Sequence, residues 1–154
     1  MLQTQIMGWD AARAEAIPIR FRVFVEEQQV PVEMELDQHD AASLHVVARV
    51  GGRAVGTGRL LPVETHGELA VSHIGRMAVL GDSRGIGVGA AMLGALIGAA
   101  RTRGDQEILL SAQIHAIGFY RGFGFAEENE IYMDADIPHQ TMRLALARRP
   151  PSGA

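Results

Sequence analysis

Three glycines at alternate positions follow an arginine near the middle of the chain: Arg84, Gly85, Gly87 and Gly89. A helix-forming run of small and apolar residues comes directly after them. Each glycine inside a helix lowers its stability by roughly 0.5–1 kcal/mol relative to alanine, so glycines at this position need an explanation. One explanation is anion binding, because the free N–H groups at a helix N-terminus attract an anion and glycine lets a bulky phosphate or pyrophosphate approach. The other is close packing of the helix on a sheet. The glycines alone leave both interpretations open.

Two nucleotide-binding patterns can be compared with these glycines. A P-loop is excluded because no Gly-Lys-Ser/Thr follows them. Residues 85–90 do fit G-x-G-x-x-A, with Asp105 20 residues after Gly85. In a dinucleotide fold, however, the acidic residue ends the next strand, whereas Asp105 precedes the strand predicted at 108–112. Only 65 residues follow Gly89, too few for the rest of such a fold. We interpret the match as accidental and keep a nucleotide-dependent oxidoreductase as an alternative.

The hydrophobic pattern predicts the elements that must position this loop. Strands are predicted at 2–9, 44–50, 54–61, 70–80, 107–113, 128–135 and 141–147. Gly51-Gly52 predicts a hairpin turn, and Gly104 ends the helix that the glycines open. The resulting fold class is α+β, with a mixed, mostly antiparallel central sheet flanked by helices.

Two further segments complete the predicted organisation. Asp10 is expected to cap a helix over 11–28 that Pro18 interrupts, and a short helix from His115 ends at Gly124. The acidic, irregular stretch from Glu26 to Asp40 is expected to be a solvated loop. Its alternative role is to attract a cationic acceptor such as a polyamine, an amino sugar or a lysine.

Length and composition restrict the class of protein. The 154 residues predict one domain over 1–147 and a flexible tail over 148–154. A net charge of -4 argues against a nucleic-acid partner, and the longest apolar run, 13 residues at 88–100, is too short to span a bilayer. The chain has no cysteine, which suits a reducing cytoplasm, and its N-terminus does not resemble a secretory signal. We therefore expect a cytoplasmic protein without a membrane partner.

Two motifs together resemble the GNAT family of N-acetyltransferases. Arg84-x-x-Gly87-x-Gly89 is similar to the R/Q-x-x-G-x-G/A loop of that family, which binds the pyrophosphate of acetyl-CoA. Downstream, QIHAIGFYRGFGF resembles N-x-x-A-x-x-x-Y-x-x-x-G-F, with Gln113 where asparagine is common. The resemblance covers roughly residues 1–146. The segments VFVEEQQVPVEMELDQHD, HIGRMAVL, SAQIHAIGFY and DIPHQTM look like the ElaA/YjcF-like branch.

The resemblance implies a GNAT fold that transfers the acetyl group of acetyl-CoA to an amine by direct attack. The acyl donor should lie between two separated strands, HIGRMAVL and EILLSAQ. A bulge in the first strand would turn backbone N–H groups toward the donor. The coenzyme-binding residues implied in this way are Met77, Ala78, Val79, Arg84, Gly85, Ile86, Gly87, Val88, Gly89, Ala90, Gln113 and Tyr120. The resemblance also leaves room for a homodimer.

The catalytic residues are Tyr120, which the resemblance implies protonates the leaving thiolate, and His73, a candidate general base. His139 could face the acceptor cleft, as could the carboxylates Glu26, Glu27 and Glu33. His115 opens the short helix, where its expected role is to cap or to pack, and a chain of water molecules could replace a dedicated base. No metal site is expected, since the remaining histidines are scattered. The acceptor is undetermined, either a small amine or a protein amine. An acyl-CoA-binding sensor with little catalysis is the alternative function.

Overall fold

An eight-stranded sheet forms the centre of the fold, and helices pack on both of its faces. The computed structural model describes residues 1–35 and 37–146, so the predicted tail at 148–154 lies outside the described residues. The strands are β1 (Leu2–Met7), β2 (Leu44–Val50), β3 (Arg53–Leu60), β4 (Glu64–His66), β5 (Leu69–Val79), β6 (Glu107–Gln113), β7 (Ala126–Asp134) and β8 (Ile137–Ala145). Within the described part of the chain, no helix is both long and apolar enough to span a bilayer.

The strand order is β1-β2-β3-β5-β6-β8-β7, with the short β4 paired to β5. Every neighbouring pair is antiparallel except β5 and β6, which are parallel. Parallel neighbours need a crossover, and α3 (Val88–Arg103) provides it. The predicted mixed, mostly antiparallel sheet is confirmed. A single parallel pair also removes the doubly wound fold that a dinucleotide site would need.

The N-terminal helix differs from its prediction at both ends. It begins at Trp9 with Gly8 as N-cap, so the capping role expected of Asp10 is wrong. α1 (Trp9–Arg20) runs through Pro18, and the chain then continues as a π-helical segment over Phe21–Glu27. Proline lacks an N–H group and crowds the preceding turn, so a change of helical register close to Pro18 replaces the expected break.

The acidic stretch is a solvated loop only in part, because most of its described residues are exposed whereas Glu35 and Asp40 are buried. It forms α2 (Val32–Glu35) and a single 3₁₀ turn at Asp40–Ala42. Arg20 is only 1% exposed, and its guanidinium contacts Glu35 at 2.6 Å and Asp40 at 2.7 Å. Six side chains form an arginine–carboxylate cluster, namely Arg20, Arg59, Arg76, Glu35, Asp37 and Asp40. Three cations balance three anions there, which weakens the expected attraction for a cationic acceptor.

The helix α3 packs closely on one face of the sheet because β3 carries glycines beneath it. A Cβ added at Gly56 would lie 2.7 Å from the Met92 sulfur on α3, and one at Gly58 would lie 3.1 Å from Leu96 Cδ1 on the same helix. The first distance is shorter than real contacts allow, and the second is tighter than ordinary packing. Close helix–sheet packing therefore depends on the glycines of β3, not on those that precede α3.

The parallel strands β5 and β6 separate at one end. They pair over only four positions, from Val71 opposite Glu107 to Ile74 opposite Leu110. Beyond that point β5 continues beside β3, whereas β6 continues beside β8. The predicted separation of these two strands is confirmed, and it leaves a gap in the middle of the sheet.

Candidate active site

A cavity of about 1120 Å³ opens where β5 and β6 separate. Eleven of the predicted site residues line it: Met77, Ala78, Val79, Arg84, Gly85, Gly87, Val88, Gly89, Ala90, Gln113 and Tyr120. Ile86 is exposed and is not part of the lining. The cavity reaches from the N-terminus of α3 through the gap to the hairpin between β7 and β8.

The loop before α3 presents backbone N–H groups to this cavity. Gly87 is the N-cap of α3 with φ +87°, and Gly85 has φ +82°; both values favour glycine. A Cβ added at either glycine would meet no heavy atom within 4 Å. The first bond of the helix runs from the Ala91 N–H to the Gly87 carbonyl, so the N–H groups of 88–90 stay open at a positive helix end. This geometry fits an anion and does not need the packing explanation.

Arg84 lies at the rim of the same loop. Its Nε donates to the Val79 carbonyl at 2.9 Å, and its Nη2 donates to a Glu27 carboxylate oxygen at 2.9 Å. The guanidinium is half exposed, so an anion bound at the helix end would find a cation beside it that is already held in position.

A β-bulge interrupts β5 beside the cavity. Thr57 of β3 lies opposite Ala78, and Arg59 lies opposite Gly75, so β5 holds one extra residue across this interval. Arg76 has φ +52°, which is typical of a bulge position. Because the pairing with β6 ends at Ile74, the residues from Gly75 to Val79 line the cavity on that side.

Tyr120 lies on α4 (Ile117–Arg121) and is 9% exposed. Its ring packs edge-on against Phe119 and Phe125, with ring centres at 5.2 and 6.0 Å. Burial raises the pKa of the phenol to about 12, so the hydroxyl keeps its proton at neutral pH. Tyr120 lines the cavity, and within residues 1–35 and 37–146 no side chain or carbonyl binds its hydroxyl. Gln113 ends β6 nearby, and its amide donates to the Gln28 side chain at 2.9 Å.

His73 does not reach the cavity. It lies opposite Leu109, where β5 and β6 are still paired, one residue before the gap opens. Burial lowers the pKa of its imidazole, and Glu64, His66 and Arg143 are the charged groups that act on it. Its role as general base stays a prediction without support from this placement.

Two other histidines, His115 and His139, do line the cavity, as do Glu27 and Glu35. Glu26 and Glu33, also considered from the sequence, are absent from the lining. Arg76 lines the cavity but was not among the site residues predicted from the sequence. Gly75, a glycine inside a predicted strand, was the signal for a bulge at this point. In the described residues, no three histidines and carboxylates gather as a metal site.

Known proteins are similar to this chain in sequence and in fold. The profile of the family described as "Acetyltransferase (GNAT) domain" matches residues 10–146. The Uncharacterized N-acetyltransferase YjcF of Bacillus subtilis is 37% identical over 129 residues, which cover 83% of this chain and 89% of YjcF. The Protein ElaA of Escherichia coli is 30% identical over 126 residues, 80% of either chain.

Solved structures agree with these sequence comparisons. An acyl-CoA N-acyltransferase from Pseudomonas aeruginosa superimposes with a TM-score of 0.82 at 30% identity, covering 94% of this chain and 100% of that one. The crystal structure of Escherichia coli ElaA gives a TM-score of 0.81 at 27% identity, covering 93% and 99% of the two chains. Together with the split sheet and the open helix end, these matches place the chain in the GNAT acetyltransferase family, in its ElaA/YjcF-like branch, as an acyltransferase.

Proposed function

We propose that this enzyme transfers the acetyl group of acetyl-CoA to an amine by direct attack. The observation that carries the proposal is the gap between β5 and β6, which joins the open N-terminus of α3 to the far face of the sheet. In this proposal the N–H groups of residues 85–90 and the Arg84 guanidinium bind the diphosphate. Gln113 and the bulged backbone from Met77 to Val79 hold the pantetheine and the thioester oxygen.

The proposed reaction must overcome two unfavourable ionisations. An alkyl amine has a pKa near 10, so at pH 7 only roughly one molecule in a thousand is neutral and able to attack. As the C–N bond forms, negative charge develops on the carbonyl oxygen, and preorganised N–H groups at the bulge stabilise it. As the C–S bond breaks, Tyr120 donates a hydrogen bond and its proton to the leaving sulfur. Burial raises the pKa of this phenol to about 12, which keeps it protonated at neutral pH before the reaction.

The proposal predicts selective stabilisation by coenzyme A. A ligand at 100 times its dissociation constant adds about 2.7 kcal/mol of stability, which a thermal-shift experiment detects easily. Coenzyme A should raise the melting temperature, whereas NAD should leave it unchanged. Thiol release from acetyl-CoA is then followed with spermidine, glucosamine and a lysine peptide. If coenzyme A stabilised the protein but no amine caused thiol release from acetyl-CoA, the result would support a sensor and overturn the proposed transfer.

Tyr120→Phe should lower kcat by roughly 10²-fold, the range for loss of a positioned acid, and leave the affinity for coenzyme A unchanged. Phenylalanine keeps the ring that packs on Phe119 and Phe125, so the fold should be retained. Steady-state kinetics and calorimetric titration with coenzyme A measure the two effects. An unaltered rate across the pH range would remove Tyr120 from the mechanism.

A further inference from the structure

His139 is a buried histidine that lines the cavity and uses only one of its two ring nitrogens in a hydrogen bond within the described part of the chain. It lies on β8, is 9% exposed and lines the cavity. Its Nδ1 lies 2.7 Å from the Ile137 carbonyl oxygen. A carbonyl can only accept a hydrogen bond, so Nδ1–H donates and the neutral ring carries its lone pair on Nε2. In the described part of the chain Nε2 has no hydrogen-bond partner.

The ring is also held in a fixed orientation. It packs against the ring of Tyr132 on β7, with centres 6.1 Å apart and an interplanar angle of 24°. The Tyr132 hydroxyl is in turn hydrogen bonded to the Ser111 hydroxyl on β6. A neutral imidazole held in this way has one defined lone pair, on Nε2, and it belongs to a side chain that lines the cavity; proton transfer requires such a positioned base.

The strand register places His139 beyond the point where the gap opens. It lies opposite Gln113, the last residue of β6, and paired residues share one face of a sheet. The neighbouring residues Leu110 and Ala112 belong to the core under α3, and alternation therefore puts Gln113 and His139 on the opposite face.

Tyr120 belongs to the core on the α3 side of the sheet. A thioester carbonyl in the gap would thus have a phenol on one side and an imidazole lone pair on the other. This arrangement suits direct attack, because the leaving sulfur and the incoming nitrogen occupy different sides of the same carbon.

We infer that His139 is the general base that accepts the proton of the acceptor amine, an inference that rests on the proposed acetyl transfer. Nε2 takes the proton from the nitrogen as the C–N bond forms. The C–S bond breaks, and the sulfur leaves with the proton of Tyr120. The resulting imidazolium and phenolate return to their neutral forms by proton exchange with solvent, so the reaction balances.

Several titratable groups surround this imidazole. Tyr132 packs against it from β7, and the groups that share the cavity are Glu27, Glu35, Arg76, Arg84, His115, Tyr120 and Asp134. Glu35 is paired with Arg20, and Glu27 with Arg84. Of the two histidines that line the cavity, His139 is buried and its Nδ1 donates to a backbone carbonyl, whereas His115 is exposed.

His139→Gln tests the inference. Glutamine is polar but does not accept a proton at neutral pH, so kcat at pH 7 should fall roughly 10²-fold with an amine that the wild type acetylates. The deficit should shrink as the pH approaches about 10, because the amine then supplies its own neutral form. The dissociation constant of coenzyme A should not change. A wild-type rate at every pH would overturn the inference.

Two matched variants and one spectroscopic measurement complete the test. His66→Gln, on an exposed side chain outside the cavity, should retain the wild-type profile, and His73→Gln decides between the two candidate bases. Nitrogen NMR of the imidazoles should show His139 protonated on Nδ1 in its neutral form, and protonation on Nε2 instead would overturn the inference without any kinetics. If the wild type transfers to no amine, both proposals fail. If His139→Gln transfers at the normal rate, only the assignment of His139 as the general base fails.

Discussion

Gly87→Val is expected to weaken coenzyme A binding by at least about 100-fold, or roughly 2.8 kcal/mol. Gly87 has φ +87° at the N-cap of α3, and a β-branched residue is strained there. A side chain at this position would meet no protein atom within 4 Å, so it would project into the open space that the diphosphate needs. Calorimetric titration with coenzyme A measures the loss.

Gly67→Val is the control that distinguishes a loss of coenzyme binding from a general effect of backbone strain. Gly67 has φ +65° in the turn between β4 and β5, and a Cβ there also meets nothing within 4 Å. The two variants should lose similar thermal stability, yet only Gly87→Val should lose coenzyme binding. If Gly87→Val bound coenzyme A as tightly as the wild type, the loop before α3 would not be the diphosphate site.

The glycine loop was predictable because its signal is local. A left-handed N-cap followed by an apolar helix that ends at Gly104 can be recognised within about twenty residues, and Gly104 does have φ +91°. Hairpins with typical turn residues were equally accessible. The β7–β8 hairpin was placed too late because its turn uses Ala135 and Asp136, both with positive φ, instead of an Asn-Gly pair.

Long-range contacts explain what the sequence left open. His73 lies on β5 and His139 lies on β8. Only the strand register shows that His73 precedes the gap and that His139 lies beyond it. A shift of one residue changes which side chains reach a cavity, and the bulge at Arg76 makes such a shift. The spacing of residues along the chain does not give the register, although Gly75 inside the strand was a local signal for the bulge.

The acidic stretch illustrates the same limit. Glu35 and Asp40 resemble solvated surface residues in the sequence, because nothing near them in the chain reveals that Arg20 and Arg59 meet them inside the fold. The pKa of Asp37 is held well below its usual range by the hydrogen bond from Arg59, against the opposing effect of burial. These carboxylates therefore serve the structure, and Glu35 also forms part of the cavity wall.

Arg20→Met should lower the free energy of unfolding by about 3–5 kcal/mol, the usual cost of removing one partner from a buried ion pair. Arg20 is 1% exposed and donates to both Glu35 and Asp40, so its loss leaves buried carboxylate charge without its main partner. Urea unfolding followed by circular dichroism measures the change. Methionine is of similar length to arginine and keeps much of the packing, so the loss of stability should come mainly from the lost ion pairs.

Arg22→Met is the matched control, two residues along the same helical stretch. Arg22 forms an exposed pair with Glu26 at 3.5 Å, and such pairs contribute about 0–1 kcal/mol. Adding Glu35→Gln to Arg20→Met removes one uncompensated charge and should restore part of the lost stability. If Arg20→Met and Arg22→Met destabilised the protein equally, the arginine–carboxylate cluster would not be what holds the segment around Glu35 against the cavity.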